Sequence, residues 1–311
     1  MRGRCPSPRG GFALLAVLWV IVAIAALTLA AQLAARGSVA AARNRAELAR
    51  AAWLAEGCAE RARAAVSHAL LAARPEGPSG TTWNRIPAVV AASPLTDGCE
   101  LAVRAAGAAL DANTADAETL RRFLAAMGTA PASADSLADA LLDWRDADTD
   151  PRPAGAEAPA YLRAGLAPPR DSAFAAPAEV RRVRGWDRFP GLDTLVGVEA
   201  ARVPLAHAPL PVLASLPGFG AEAVARVAEL RARGEPVPDA SAVGAQMGDA
   251  ARAELQRHAW ELAGRATAVP EAWIVTAHAR VGTPPATAAL ELRLVRAGDR
   301  AAVTRRRSWT E

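Results

Sequence analysis

RGGFALLAVLWVIVAIAALTLAAQLAA, residues 9–35, decides the fold of this chain. Residues 12–35 carry no charge, and Gln32 is their only strongly polar side chain. At about 1.5 Å per residue these 24 residues make a helix of about 36 Å, long enough to cross a bilayer with some tilt. A secretory signal would have a shorter apolar core, closed by a small-residue cleavage site and a break. Here the pattern runs on through SVAAARNRAELARAAWLAEGCAERARAAVSHALLAAR without a proline. Val39, Ala46, Trp53, Leu54, Ala65 and Leu70 supply an apolar stripe, and Arg43, Arg45, Glu47, Arg50, Glu56, Glu60, Arg61 and Arg63 supply polar faces. The spacing predicts one helix over residues 12–74, roughly 90 Å long, its first part in lipid and its second on a soluble domain. A plain single-span anchor is the simpler alternative.

Outward from that rod the composition is restrictive. The 311 residues suffice for two domains beside a membrane segment. The net charge of +4 is concentrated at Arg2, Arg4 and Arg9, and removal of residues 1–11 leaves 33 basic and 32 acidic side chains. A high isoelectric point therefore argues little for nucleic-acid binding. Arginines before the apolar run and none inside it predict a cytoplasmic N-terminus. Cys5 precedes the run and is no lipobox residue; Cys58 and Cys99 either pair in an oxidising compartment or remain two buried thiols.

A short basic leader ending in Gly10-Gly11, with Phe12 opening the long helix, resembles the type IV pilin-like family. The resemblance implies cleavage between Gly11 and Phe12 by a prepilin peptidase, with methylation of the new N-terminus. One departure stands out: the family's usual glutamate at the fifth mature position is Ala16 here. A carboxylate in lipid is costly unless it meets a positive partner, such as a neighbour's N-terminal amine. A subunit without it is a poor repeating unit yet can sit at a filament end.

Beyond a Pro/Gly/Ser-rich loop at 74–80, residues 99–106 alternate as a strand. Asn113-Thr114 reads as a helix N-cap region ahead of Leu120, Phe123 and Leu124. Then Asp143, Asp146, Asp148, Asp150 and Glu157 crowd into one segment. With Asp146 as position 1, Asp148, Asp150 and Glu157 fall at positions 3, 5 and 12, the ligand positions of an EF-hand loop. Pro151 replaces the glycine of position 6 and no helical pair is evident, so the reading is a carboxylate-rich loop suited to Ca²⁺ rather than an EF-hand. Mg²⁺, which keeps its waters, suits it less. A solvated acidic turn balanced by Arg145 and Arg152 is the alternative.

This stretch narrows the resemblance. LDANTADAETL, ALLDWRDADTDPRPAGAEAPAYL and PPRDSAFAAPAEVRRVRGW look like the helical insert of minor pseudopilin K of type II secretion systems. That family characteristically lacks the fifth-position glutamate and binds calcium in its large domain. The resemblance implies partners of the minor pseudopilin I and J types, the major pseudopilin, the prepilin peptidase and the inner-membrane secretion platform.

LASLPGFGAEAVARVAELRARG, residues 213–234, is a helix-hairpin-helix pattern with Pro217, Gly218 and Gly220 in the turn. Such a turn can offer N–H groups to a phosphate, so a membrane-anchored periplasmic DNA-binding protein is the competing reading. Glu222 and Glu229 dilute Arg226, Arg231 and Arg233, which favours a packing motif without nucleic acid. Residues 272–282, 286–298 and 300–311 read as a three-strand meander, with Gly298-Asp299 as a hairpin turn and Arg305–Arg307 as a solvated edge. His68, His207, His258 and His278 lack metal-ligand spacing, and no nucleophile, P-loop or dinucleotide signature appears, so the chain reads as non-enzymatic.

The expectation is an α+β, pilin-like protein: a long N-terminal helix packed on a small antiparallel sheet, with a large all-α inserted domain. The divisions are a cleaved leader at 1–11, a transmembrane half-helix at 12–35, and a periplasmic helix with the first strands at 36–106. An inserted helical domain with the hairpin follows at 107–265, and C-terminal strands of the pilin fold at 266–311. The implied role is a minor pseudopilin, anchored once in the bacterial inner membrane with its C-terminal domain in the periplasm, that caps and helps initiate the pseudopilus during protein export. A plain anchored calcium-binding domain is the weakest alternative.

Overall fold

The computed structural model describes residues 10–73 and 81–310. The leader, except for Gly10 and Gly11, and the 74–80 loop lie outside the described residues. Helix α1, Gly10–Ala72, is continuous over 63 residues. No proline interrupts it, and the two internal glycines Gly37 and Gly57 face open space, where each costs only about 1 kcal/mol relative to alanine. It is the one helix among the described residues long and apolar enough to cross a membrane, with a mean hydropathy of 2.8 over its most apolar window. Each of residues 13–46 is exposed.

The second half of α1 is the spine of a small core. Ala51, Ala55, Cys58, Ala59, Ala62, Val66 and Leu70 are buried at spacings of three and four, one face of a helix. This corrects the sequence-based stripe. Trp53 is 73% exposed and Val39 is exposed, whereas Leu70 is buried and Leu54 half-buried. Small side chains win this face because they let the helix lie close against a flat sheet. Helix α2, Ile86–Ala91, then leads into strand β1, Cys99–Ala105. A disulfide joins Cys58 on α1 to Cys99 on β1.

The chain next leaves for the insert. Its principal helices are α3 (Ala117–Ala126), α4 (Pro131–Arg145), α5 (Ala158–Arg163), α6 (Leu210–Ala214), α7 (Ala221–Ala232) and α8 (Asp249–Arg257). They enclose a core of their own that runs from Leu110 to Ala266. Leu120, Phe123 and Leu124 are buried as the pattern requires, but the N-cap of α3 is Asp116, which accepts from Thr119 N at 2.7 Å. Asn113 does other work, described below.

The chain returns as β2 (Ala272–Val281), β3 (Ala286–Ala297) and β4 (Arg300–Thr310). The sheet is antiparallel in the order β1-β2-β3-β4, with Cys99 opposite Ala279 and Ala105 opposite Trp273. Trp273, Val275, Ala277, Ala279, Leu290, Leu292 and Leu294 pack on α1. Trp83 donates its indole N–H to Pro270 O, and Trp273 donates its own to Trp83 O, so neither buried ring carries an orphan donor. Ala272 and Ile274 are buried on the opposite face with Ala106, against Ala201 of the insert. That is why the start of β2 is apolar on both faces where simple alternation anticipates one. Arg305 and Arg306 are not merely solvated: Arg305 pairs with Glu199 of the insert and Arg306 with Glu56 of α1 at 2.7 Å.

The insert leaves the sheet at one end. Ala106 N donates to Ala272 O at 2.9 Å, so entry and exit strands lie side by side. At the other end of β2, Gly282 lies against Glu47, near the bare half of α1. Between these, Cys99 meets Cys58, and Ala301 donates to Ser67 further along the rod. The inserted mass therefore departs from the end of the sheet farthest from the apolar half-helix.

Candidate metal centre

The acidic segment is built on an aromatic trio. Trp144 closes α4, Tyr161 sits on α5, and Phe174 lies in the loop that follows; Trp144 meets Tyr161 edge-on at 5.4 Å and stacks on Phe174 at 6.4 Å between centroids. Phe174 is clamped by Asn113, whose amide accepts from Phe174 N at 2.8 Å and donates to Phe174 O at 3.1 Å. Each ring carries a carboxylate a few residues away: Asp146 after Trp144, Glu157 before Tyr161, Asp171 before Phe174. Packing of the rings thus gathers acids that are far apart in sequence.

Asp146 is the first residue beyond α4 and Glu157 the last before α5, so the loop from 146 to 157 is flanked by two helices, contrary to the sequence reading. The second is only six residues long and has a proline in its first turn, which hid it. Asp146, Asp148 and Glu157 each place a carboxylate oxygen within 4.8 Å of the others. Asp150 is exposed and does not join them; its backbone N–H donates to Asp148 Oδ1 at 3.0 Å, tightening the turn. Asp143 does not join them either. It is fully buried and accepts from the Arg152 guanidinium at 2.6 Å and from Ala156 N at 2.8 Å. Gly155 lies so close to that carboxylate that any Cβ would collide with it. Asp143 staples the loop shut; its part is structural.

Charge balance inside the loop is incomplete. Arg152 bridges Asp143 and Asp146. Arg145 turns away and donates to the carbonyls of Ala112 and Ala115, and it forms no direct ion pair with these acids. Glu157 is only 4% exposed, and neither of its carboxylate oxygens has a hydrogen-bond partner. Asp146 Oδ1 and Asp171 Oδ1 are buried without partners as well. Burial first, then the charges of Asp143, Asp171 and Asp146, push the Glu157 carboxyl above its ordinary range. Asp171 is also the non-glycine residue, among those described, with a left-handed backbone, φ +51°. The strained backbone at Asp171 and the orphaned buried oxygens of Asp146 and Glu157 leave the charge of this acidic segment uncompensated by the chain itself. Asp171 escaped the sequence reading because nothing in PPRDSAF marks it; only the Asn113 clamp brings it near Glu157.

The hairpin is a packing element. Gly218 has φ +69°, and a Cβ there would lie 3.0 Å from His258 and 3.1 Å from Glu254 O on α8. Pro217 and Phe219 are buried, while Gly220 is exposed at the start of α7. Glu222, in the first turn of α7, accepts from Gly248 N at 2.7 Å, placing an anion where a phosphate would have to sit. Arg226 pairs with Glu229, Arg233 with Glu235, and Arg231 with Leu205 O. The nucleic-acid reading has no support in this geometry.

A half-bare helical rod, a small antiparallel sheet on its covered half and a helical insert at the far end define a pilin-like fold of α+β class. Residues 96–189, which include the whole acidic segment, match the model for type II secretion system (T2SS), protein K, and bear out that resemblance. In fold the chain is similar to a chain in the crystal structure of the GspK-GspI-GspJ complex from the enterotoxigenic Escherichia coli type 2 secretion system. The TM-score is 0.61 at 17% identity, covering 86% of this chain and 99% of that one. No curated protein matches.

Proposed function

We propose that this chain is a minor pseudopilin that caps, and helps to initiate, a periplasmic pseudopilus, and that it is a non-enzymatic part. The observation that carries the proposal is the placement of the insert at the end of the sheet farthest from the bare half of α1. Stacking pilin-like subunits buries their apolar half-helices against one another, and a bulky domain at the distal end obstructs the next subunit above. Ala16 agrees with an end position, since no carboxylate there needs the amine of a subunit ahead. After cleavage between Gly11 and Phe12, the new amine is free to meet the carboxylate of the subunit below. The partners are minor pseudopilins of the I and J types, for which the complex with a similar fold is the support. The chain is placed once through the inner membrane, N-terminus in the cytoplasm, soluble domain in the periplasm.

Calcium is the cofactor of this reading. Asp146, Asp148 and Glu157 would hold it, with Asp171 as a further oxygen donor; its role is to neutralise the loop and lock α4 to α5. An epitope placed on the insert tests the capping role by gold labelling of sheared pseudopili. One label at one end of each filament is the expected result; labels repeating along the shaft would refute it.

A further inference from the structure

Where α1 emerges from its apolar half, it forms a groove of about 570 Å³ with the turn between β2 and β3. Arg36, Ala40, Arg43 and Glu47 line it from the helix, and Thr283 and Pro284 from the turn. The helical residues are spaced by four, three and four, so they share one face. Arg36 is the first charge after the 24 apolar residues, and Arg43 follows two turns later, about 10 Å along the axis. Side chains on a helix lean toward its N-terminus, so Arg43 is directed back toward Arg36 and the apolar half. Both arginines are exposed, and neither has an ion-pair or hydrogen-bond partner among the described residues, whereas most arginines of the soluble domain do. Glu47, the acid of the groove, lies at its far end beneath the turn, where a Cβ on Gly282 would come within 3.0 Å of its Cδ. Two cations and one remote anion leave the groove one positive charge in excess at the level where a bilayer presents its phosphates.

We propose that this groove binds the phosphodiester of an anionic phospholipid in the leaflet facing the soluble domain. Arg36 and Arg43 would clamp one headgroup while the turn closes over it. The bound lipid would fix the depth at which the rod leaves the membrane before the subunit is drawn into a filament. The inference rests on the reading that residues 12–35 span the bilayer. A headgroup fits better than a free anion because Arg36 directly abuts the apolar segment and lipid phosphates are concentrated there.

The test uses the full chain, purified in detergent and titrated with phosphatidylglycerol or phosphatidylcholine, with bound lipid counted by native mass spectrometry. Wild type should prefer phosphatidylglycerol by about fivefold for each arginine. The preference should vanish in R36Q/R43Q, survive in R36K/R43K, and be unchanged in the remote R300Q. Equal binding of both lipids by wild type, or a preference retained by R36Q/R43Q, overturns the proposal. So does complete competition by excess inorganic phosphate, which would mark a free-anion site. Alkaline carbonate treatment of membranes separates this from the underlying reading: release of the wild-type chain overturns the spanning helix and the groove together. A chain that stays in the membrane without lipid preference overturns the groove alone.

Discussion

Replacing Glu157 with glutamine should stabilise the protein without calcium and abolish the stabilisation that calcium brings. The first effect follows from burial: the wild-type carboxylate is 4% exposed with both oxygens unpartnered. Glutamine keeps the shape but removes the buried negative charge that burial and the neighbouring Asp143, Asp171 and Asp146 disfavour, a relief worth about 1–3 kcal/mol. The second follows from linkage, since a cation at 100 times its dissociation constant adds about 2.7 kcal/mol to the folded state. Over 311 residues at about 2.1 cal/mol/K each, that corresponds to a rise in Tm of roughly 4 °C. Melting followed by tryptophan fluorescence, in chelator and in excess calcium, reads both, because Trp144 is buried beside the loop.

The sign with pH is fixed by the same group. Glu157 titrates above its unfolded value, so the folded chain without calcium holds more protons in that interval. Its contribution is fully present below the ordinary carboxylate range and is lost as pH rises through the raised folded value. Calcium needs the ionised form and should abolish that loss, releasing a proton as it binds. Asp143→Ala serves as the contrast. It removes the staple to Arg152 and Ala156, and should cost about 2–4 kcal/mol with or without calcium. A calcium shift in Glu157→Gln equal to that of wild type would refute the assignment of Glu157 as a ligand.

Two further outcomes follow from the packing. His207 lies edge-on to Trp273 at 4.8 Å, across the join between insert and sheet, and burial with the neighbouring Arg231 lowers its pKa to about 4. Stability should therefore fall as pH drops from the unfolded value of 6.5 through 4, and His207→Leu should remove that fall; urea midpoints at the two ends of the window measure it. Ala62→Leu, at a fully buried position of α1, should cost about 1–3 kcal/mol by overpacking, whereas Trp53→Ala, at an exposed one, should change stability by less than about 0.5 kcal/mol, read by the same unfolding curves.

The contrast between Ala62 and Trp53 also explains what sequence can and cannot disclose here. The rod was legible because its evidence is local: a long uncharged run and the lack of proline are properties of neighbours in the chain. The three C-terminal strands were legible for the same reason, their period of two and the Gly298-Asp299 turn being short-range. The buried face of α1 was not legible. Alanine carries so little hydrophobic signal that a stripe of alanines is outvoted by one tryptophan, although the alanines set the approach distance to the sheet.

The acidic site divides along the same line. Asp146, Asp148 and Glu157 were found by spacing, because one loop between two helices carries all three. Spacing groups Asp143 and Asp150 with them because it cannot tell a carboxylate turned inward to Arg152 and the Ala156 N–H, or one left in solvent, from one that faces the cluster. Asp171 was missed because its proximity to Glu157 is a tertiary fact, produced by Asn113 holding Phe174 against Trp144. The trio of rings is therefore as much a part of the site as the carboxylates. It explains why a loop with proline where an EF-hand requires glycine still converges its oxygens: the turn need not be self-supporting when both of its ends, and a third strand of chain, are fastened to one aromatic stack.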